Sequence, residues 1–318
     1  MTDKAIEKRR FGETDIEVSA LGLGTWAFGG WSYGEMPDGE AVRVIEAALE
    51  AGINFFDTAP TYGRGRSEEI LGEVLGRDRE RAIFCTKGGT AIEGGRAVKR
   101  FDPAFLETSL SKSLHRLKRG YTDLYLLHNP SGDVLENQGM YDWITREKKR
   151  GRIVHWGASM YGDTDDNMFV ASTGIDFIEL RLSLLRNDIH EDLLEMPIGF
   201  IGRSPLESGF LTGKYGLDAT FDSERDHRSG SSLAYREAVH EALAILRPLV
   251  DRCVAGSLAE LAVRYAARHP YPSTVVAGAR TAEMLRENVR AYRQGPLPAD
   301  ADAVIQEARK VFESRSST

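Results

Sequence analysis

Cysteine is nearly missing from this chain, positive charge is in deficit, and no apolar run approaches the length of a membrane span. Only Cys85 and Cys253 occur in 318 residues, too few for a disulfide-built scaffold. Cys85 lies in the apolar run "AIFCT" and reads as a buried, reduced thiol, which points to a cytoplasmic protein. The seven histidines include His115, His155, His190, His227, His240 and His269, and none of these has metal-ligand spacing to a cysteine or an acid. No metal is therefore expected. A net charge of -7 argues against a general nucleic-acid binder, which needs a surface rich in lysine and arginine to displace counterions. The basic stretch "REKKRGR" (146–152) reads instead as a helix end and turn, where cations complement the helix dipole. The start "MTDKAIEKRR" has no apolar core of a signal peptide, and "ALGLGTWAFGGW" is short and broken by glycine. Neither export nor membrane insertion is expected, and a small molecule is the expected partner.

What is present is alternation. After "RRFGETDIEVSALGLGT", which opens as a small hairpin, apolar β-type runs occur at 21–24, 53–57, 82–86, 122–127, 153–158, 177–180, 198–203 and 273–278. Helical patterns lie between them, among them "DGEAVRVIEAALEAG", "SEEILGEVLG", "DPAFLETSLSKSLHRLKRG", "MYDWITREKKRG" and "AEMLRENVRAYRQ". Parallel neighbours need a crossover connection, so eight such units predict a closed (β/α)8 barrel, with a doubly wound open sheet as the alternative. No Pro- or Ser-rich linker divides the chain, and residues 1–318 are read as one domain. The polar stretch "GLDATFDSERDHRSGSS" (216–232) follows the seventh run, and a loop of this length is expected to be a functional flap or disordered.

Barrel enzymes work at the carboxyl ends of their strands. Here the second, third and fourth runs end at Asp57, Lys87 and His128, and Tyr62 stands in the loop after the second. Singly, such residues are ordinarily a turn former, a solvated cation and a hydrogen-bonded imidazole. Together they place an acid, a cation, an imidazole and a phenol at one mouth. The expected division of labour is that Tyr62 moves the proton, Lys87 polarises its phenol, Asp57 holds Lys87 and His128 donates to the substrate oxygen.

With "LGLGTW", "GINFFDTAPTYGRG", "CTKGG", "DLYLLHNP", "GRIVHWGAS", "SPLESGFLTGKY" and "GARTAEMLREN" in this order, nearly the whole chain resembles the aldo-keto reductase superfamily. The resemblance implies a (β/α)8 barrel with a short N-terminal β-hairpin and a C-terminal helix. It also implies NADP(H)-dependent interconversion of aldehydes or ketones with alcohols, with Asp57, Tyr62, Lys87 and His128 as the catalytic set. A sugar or polyol dehydrogenase on the same residues is the alternative, as is a cofactor-binding regulatory subunit of the same fold. For the cofactor, the resemblance implies Ser159 and Glu179 at the nicotinamide, with Met160 where asparagine is common and Glu179 where glutamine is usual. Either Glu179 meets the carboxamide, or the strand is shifted and Arg181 matters. Arg203 stands where relatives carry a stacking aromatic; it either stacks or pairs with Glu179 or another carboxylate. Ser204, Leu206 and Lys214 would surround the pyrophosphate, Gly278 and Arg280 would form the phosphate corner after the eighth run, and Met284, Glu287 and Asn288 would complete the adenosine side. Because Met284 offers no second charge beside Arg280, a preference for NADP(H) is expected, with NAD(H) still usable. Trp26, Trp31 and Tyr33, with Phe28, would wall the substrate site or simply pack.

Overall fold

A computed structural model describes residues 5–76, 82–161 and 164–316. Strands β1 (Lys8–Arg10) and β2 (Glu17–Ser19) form an antiparallel hairpin. The chain then runs through β3 (Leu21–Gly24), α1 (Asp38–Glu50), β4 (Phe55–Asp57), α2 (Arg66–Leu75) and β5 (Ile83–Gly88). A second antiparallel hairpin, β6 (Thr90–Glu93) with β7 (Arg96–Lys99), precedes α3 (Pro103–Arg116) and β8 (Thr122–His128). After these come α4 (Gly132–Leu135), α5 (Gln138–Lys149), β9 (Ile153–Ser159), α6 (Thr164–Ser172), β10 (Phe177–Arg181) and β11 (Gly199–Arg203). Helices α7 (Leu233–Asp251) and α8 (Leu258–Ala267), strand β12 (Thr274–Gly278), and helices α9 (Ala282–Arg293) and α10 (Ala301–Ser316) complete the order.

Strands β3, β4, β5, β8, β9, β10, β11 and β12 close into a parallel barrel in that order, each falling on one of the eight apolar runs. The expected (β/α)8 barrel with an N-terminal hairpin and a C-terminal helix is what forms. Phe11, in the turn of the first hairpin, plugs the amino-terminal end of the barrel and stacks on Phe177 with ring centroids 3.8 Å apart. Among the described residues, no helix is long and apolar enough to cross a membrane.

The two-residue period of the strands decides what reaches the mouth. Phe55, Cys85, Leu124, Leu126, Phe177, Ile201 and Val276 share the buried cluster inside the barrel. Phe56, Phe84, Tyr125 and Leu127 belong to the outer cluster against the helices. Two residues beyond the last inward apolar side chain on each strand come Asp57, Lys87, His128, Glu179, Arg203 and Gly278, and Ser159 occupies the corresponding place on β9. The ring of polar groups at the carboxyl end is thus a direct consequence of strand parity.

Candidate active site

The loop carrying Tyr62 is held at both ends. Thr25 Oγ1 donates to the Asp57 carbonyl at 2.7 Å, Ser67 Oγ donates to Thr25 Oγ1 at 2.7 Å, and Thr58 Oγ1 lies 3.0 Å from Ser67 Oγ. These hydroxyls tie the end of β4 to the first turn of α2. Below them the buried Glu68 accepts from Thr86 Oγ1 at 2.6 Å and from Arg116 Nε at 2.7 Å. Between these anchors the chain turns through Gly63, with φ of 57°, against Gly29, with φ of 82°. A Cβ on Gly63 would lie 2.7 Å from the Phe28 carbonyl oxygen and 2.8 Å from Gly29 Cα, so only glycine lets the two loops touch. That contact sets Tyr62 beside Trp26, ring centroids 6.2 Å apart, and across from His128, also 6.2 Å and edge to face.

Lys87 is buried beneath the mouth. Its ammonium donates to Asp57 and to the Thr58 carbonyl at 3.3 Å, sits 3.6 Å from Glu179 Oε2, and lies 5.5 Å from the centroid of the Tyr62 ring. Burial alone would pull this ammonium down, but Asp57 and Glu179 outweigh it and hold it well above its ordinary value. Burial and the neighbouring Glu179 push Asp57 up to about 7, against the pull of Lys87. For Tyr62, burial raises the phenol more than the Lys87 charge lowers it, and Asp57 and Glu179 add to the rise. The expected polarisation by Lys87 is present, yet the net result is a phenol kept protonated. His128 is driven well below its ordinary value by burial, then by Lys87, Lys99 and Arg203, so its ring is neutral at pH 7.

Above this cluster opens a cavity of about 730 Å³. Asp57, Tyr62, His128, Ser159, Glu179, Arg203, Ser204, Leu206, Lys214, Gly278, Arg280, Met284, Trp26, Trp31 and Tyr33 are all on its wall. Phe28 is not, being fully buried in the outer core. Met160 is buried, with its carbonyl accepting from Arg203 Nη2 at 2.7 Å. Glu287 and Asn288 lie on α9 outside the wall: Glu287 is exposed, and Asn288 Nδ2 donates to the Gly278 carbonyl at 3.3 Å. Glu179 sits beside Ser159 in the β9–β10 register, while Arg181 is engaged by Asp188 at 2.8 Å. Among the described residues Glu179 is paired with Lys87 rather than with Arg203, whose guanidinium faces the Tyr161 ring at 4.9 Å.

Sequence reasoning missed the β6–β7 hairpin, which brings Ile92, Gly95 and Lys99 to the mouth. Its signal was legible in "TAIEGGRAVK", where Gly94-Gly95 separates two short runs as in a two-residue hairpin loop. Asn129 was also missed; it follows His128 with φ of 52°, and its buried Oδ1 has no hydrogen-bond partner among the described residues.

The polar stretch 216–232 forms a strap over this mouth. Gly34 N donates to the Arg225 carbonyl at 2.9 Å, His227 N donates to the Ser32 carbonyl at 3.1 Å, and Arg225 pairs with Glu35. The His227 ring lies 4.3 Å from Trp26 and 4.6 Å from Tyr33, centroid to centroid. Asp226 accepts from Arg228 Nε at 2.8 Å, and Arg228 in turn faces Tyr33, Tyr215 and Phe221. Losing a charge-assisted contact of about 1.5–3 kcal/mol should speed local opening roughly ten- to hundredfold. In Asp226→Ala, hydrogen exchange at the amides of Gly34 and His227 is therefore expected to accelerate by that factor, and NADPH is expected to slow it in the wild type. Unchanged exchange in the variant would show that the aromatic contacts alone hold the strap.

A large nicotinamide dinucleotide fits these features. The cavity carries buried polar atoms without a hydrogen-bond partner among the described residues, at Glu179 Oε2, Asn129 Oδ1, Arg203 Nε and Arg280 Nε. In the loop after β11, Ser204, Glu207 and Ser208 adopt φ of 59°, 44° and 57°, strained conformations of the kind found where backbone must approach a ligand. Among the described residues, no group of three His, Cys, Asp or Glu side chains is placed to hold a metal ion.

Comparison with known proteins agrees. The model of the aldo/keto reductase family matches residues 20–310. The chain is 30% identical to the uncharacterized oxidoreductase YqkF of Bacillus subtilis (strain 168), covering 98% of this chain and 97% of that one. It is 29% identical to the NADH-specific methylglyoxal reductase of Escherichia coli (strain K12), over 93% of this chain and 96% of the relative. The fold superposes on the glycerol dehydrogenase AKR11B4 from Gluconobacter oxydans with a TM-score of 0.79 at 27% identity, covering 97% and 95% of the two chains.

Proposed function

This chain belongs to the aldo/keto reductase family, and from that premise we propose that Tyr62 is the general acid and base of its reaction. The protein is an oxidoreductase acting on carbonyl and alcohol groups with a nicotinamide cofactor. The observation that carries the assignment to residues is the convergence of Asp57, Tyr62, Lys87 and His128 beneath one cavity. We read the whole chain as a single functional domain.

A bound nicotinamide supplies the hydride to the carbonyl carbon, or accepts it from the alcohol carbon. In the reducing direction, the Tyr62 hydroxyl gives its proton to the carbonyl oxygen as negative charge develops there. A protonated phenol is the state that burial enforces. The phenolate left behind is stabilised by the Lys87 ammonium, and Asp57 keeps that ammonium in place. The neutral ring of His128 donates a hydrogen bond to the same oxygen and sets the angle at which it meets Tyr62. Oxidation reverses each proton transfer. Trp26, Trp31 and Tyr33 supply the apolar side of the substrate pocket, and His227 closes it.

Ser159 and Glu179 would hold the nicotinamide end, with Arg203 flanking it. Ser204, Leu206 and Lys214 would border the pyrophosphate, and Gly278, Arg280 and Met284 the adenosine end. NADP(H) carries a 2′-phosphate absent from NAD(H), and Arg280 is the cation that would meet it. Arg280 Nη2 donates to the Glu35 carbonyl at 2.8 Å, which presents the guanidinium at the cavity edge. One charge-assisted contact is worth about 1.5–3 kcal/mol, so the preference resting on it is roughly ten- to hundredfold. Arg280→Ala is expected to weaken NADPH binding by that factor in a fluorescence titration and to leave NADH almost unaffected. Equal loss for both would make Arg280 a brace for the 34–35 turn, and tighter wild-type binding of NADH would reverse the assignment.

A further inference from the structure

Inside the mouth, two carboxylates face one ammonium. Asp57, Glu179 and Lys87 are 4%, 1% and 1% exposed, so bulk water screens their charges only in part. Lys87 directs its hydrogen bonds to Asp57 and the Thr58 carbonyl. Glu179 Oε2 remains at 3.6 Å, close enough to feel the charge, and it accepts no hydrogen bond within the described residues. Arg203, a cation on the same cavity wall, donates instead to the Met160 carbonyl at 2.7 Å and to Ser204 Oγ at 3.4 Å. Of the two carboxylates, Glu179 is thus the one whose Oε2 is left without a donor, and its side chain lines the cavity. A buried carboxylate left in this state is costly unless a donor or a positive charge arrives from the cavity side.

The nicotinamide ring is positively charged when oxidised and neutral when reduced, and the two forms otherwise present the same carboxamide. We propose that Glu179 makes this site bind the oxidised cofactor more tightly than the reduced one, and so displaces the equilibrium on the enzyme toward oxidised cofactor and alcohol, the direction of carbonyl reduction. The inference rests on the nicotinamide reading given above. A glutamine of the same shape would offer the carboxamide the same acceptor oxygen without the charge, so the bias belongs to the carboxylate and not to the hydrogen bond. Opposite charges in a partly screened interior are worth roughly ten- to hundredfold in affinity.

The test is to titrate NADP+ and NADPH separately into wild type and Glu179→Gln, following protein fluorescence. Tighter binding of NADP+ than of NADPH is expected in the wild type. In Glu179→Gln the ratio Kd(NADP+)/Kd(NADPH) should rise ten- to hundredfold, chiefly because the oxidised form weakens. An unchanged ratio, with both forms bound by both proteins, overturns the inference and leaves the cofactor assignment standing. If neither form binds the wild type, the cofactor assignment itself fails and takes the inference with it. Should Glu179→Gln not fold, the wild-type pair alone decides: NADPH bound as tightly as NADP+, or more so, overturns the proposal.

Discussion

Tyr62→Phe is expected to bind NADPH as the wild type does and to reduce carbonyl compounds about a hundred- to ten-thousand-fold more slowly, the range that a positioned proton donor supplies. Phenylalanine keeps the ring that lies against Trp26 and His128. The Gly29–Gly63 contact that sets the loop is untouched as well. Only the hydroxyl is lost, so a fall in turnover with unchanged cofactor affinity isolates proton transfer. Steady-state rates at neutral pH, paired with NADPH fluorescence titration, check this. Turnover near that of the wild type would remove Tyr62 from its role.

Lys87→Met should harm both rate and stability. The methionine fills the volume, but it leaves Asp57 and Glu179 facing each other with no cation between them. Removing one partner of a buried pair typically costs about 3–5 kcal/mol, and here two carboxylates lose the same partner. Urea unfolding should show a loss of at least that order. The Tyr62 phenolate also loses the charge that stabilises it, so turnover should fall in the surviving folded protein. Adding Asp57→Asn to Lys87→Met removes one of the orphaned charges and should recover part of the stability without recovering turnover. If the double variant is no more stable than the single one, the cost does not come from uncompensated charge. If Lys87→Met keeps full activity, the coupling between Lys87 and Tyr62 is wrong.

Strand positions were legible because each barrel strand is a short apolar run bounded by a polar group, and parity then fixes which side chains face inward. Phe55 inside and Phe56 outside leave Asp57 no choice but the mouth. Electrostatic outcomes were less legible, since they depend on burial that no spacing reveals. The sequence suggested that Lys87 would lower the phenol of Tyr62, whereas desolvation outweighs it and keeps the proton on oxygen. The partner of Glu179 was also out of reach, because Lys87 lies on β5 and Glu179 on β10, strands that do not pair. The strap shows the same limit: Glu35 and Arg225 are 190 residues apart, and nothing local in "ERDHRS" says that it bridges back to the loop after β3. Phe28 and Trp26 sit in one aromatic-rich stretch, yet one is core and the other cavity wall, a distinction made by loop geometry alone.

The most direct test uses NADPH carrying deuterium at the transferable position of the nicotinamide ring, mixed with the protein and a panel of aldehydes and ketones, with mass spectrometry of the products. The account predicts that deuterium appears on the former carbonyl carbon of at least one alcohol, and that Tyr62→Phe gives far less of it in the same time. Tight NADPH binding with no label transferred to any carbonyl compound would contradict it, and would make this barrel a cofactor-binding subunit instead.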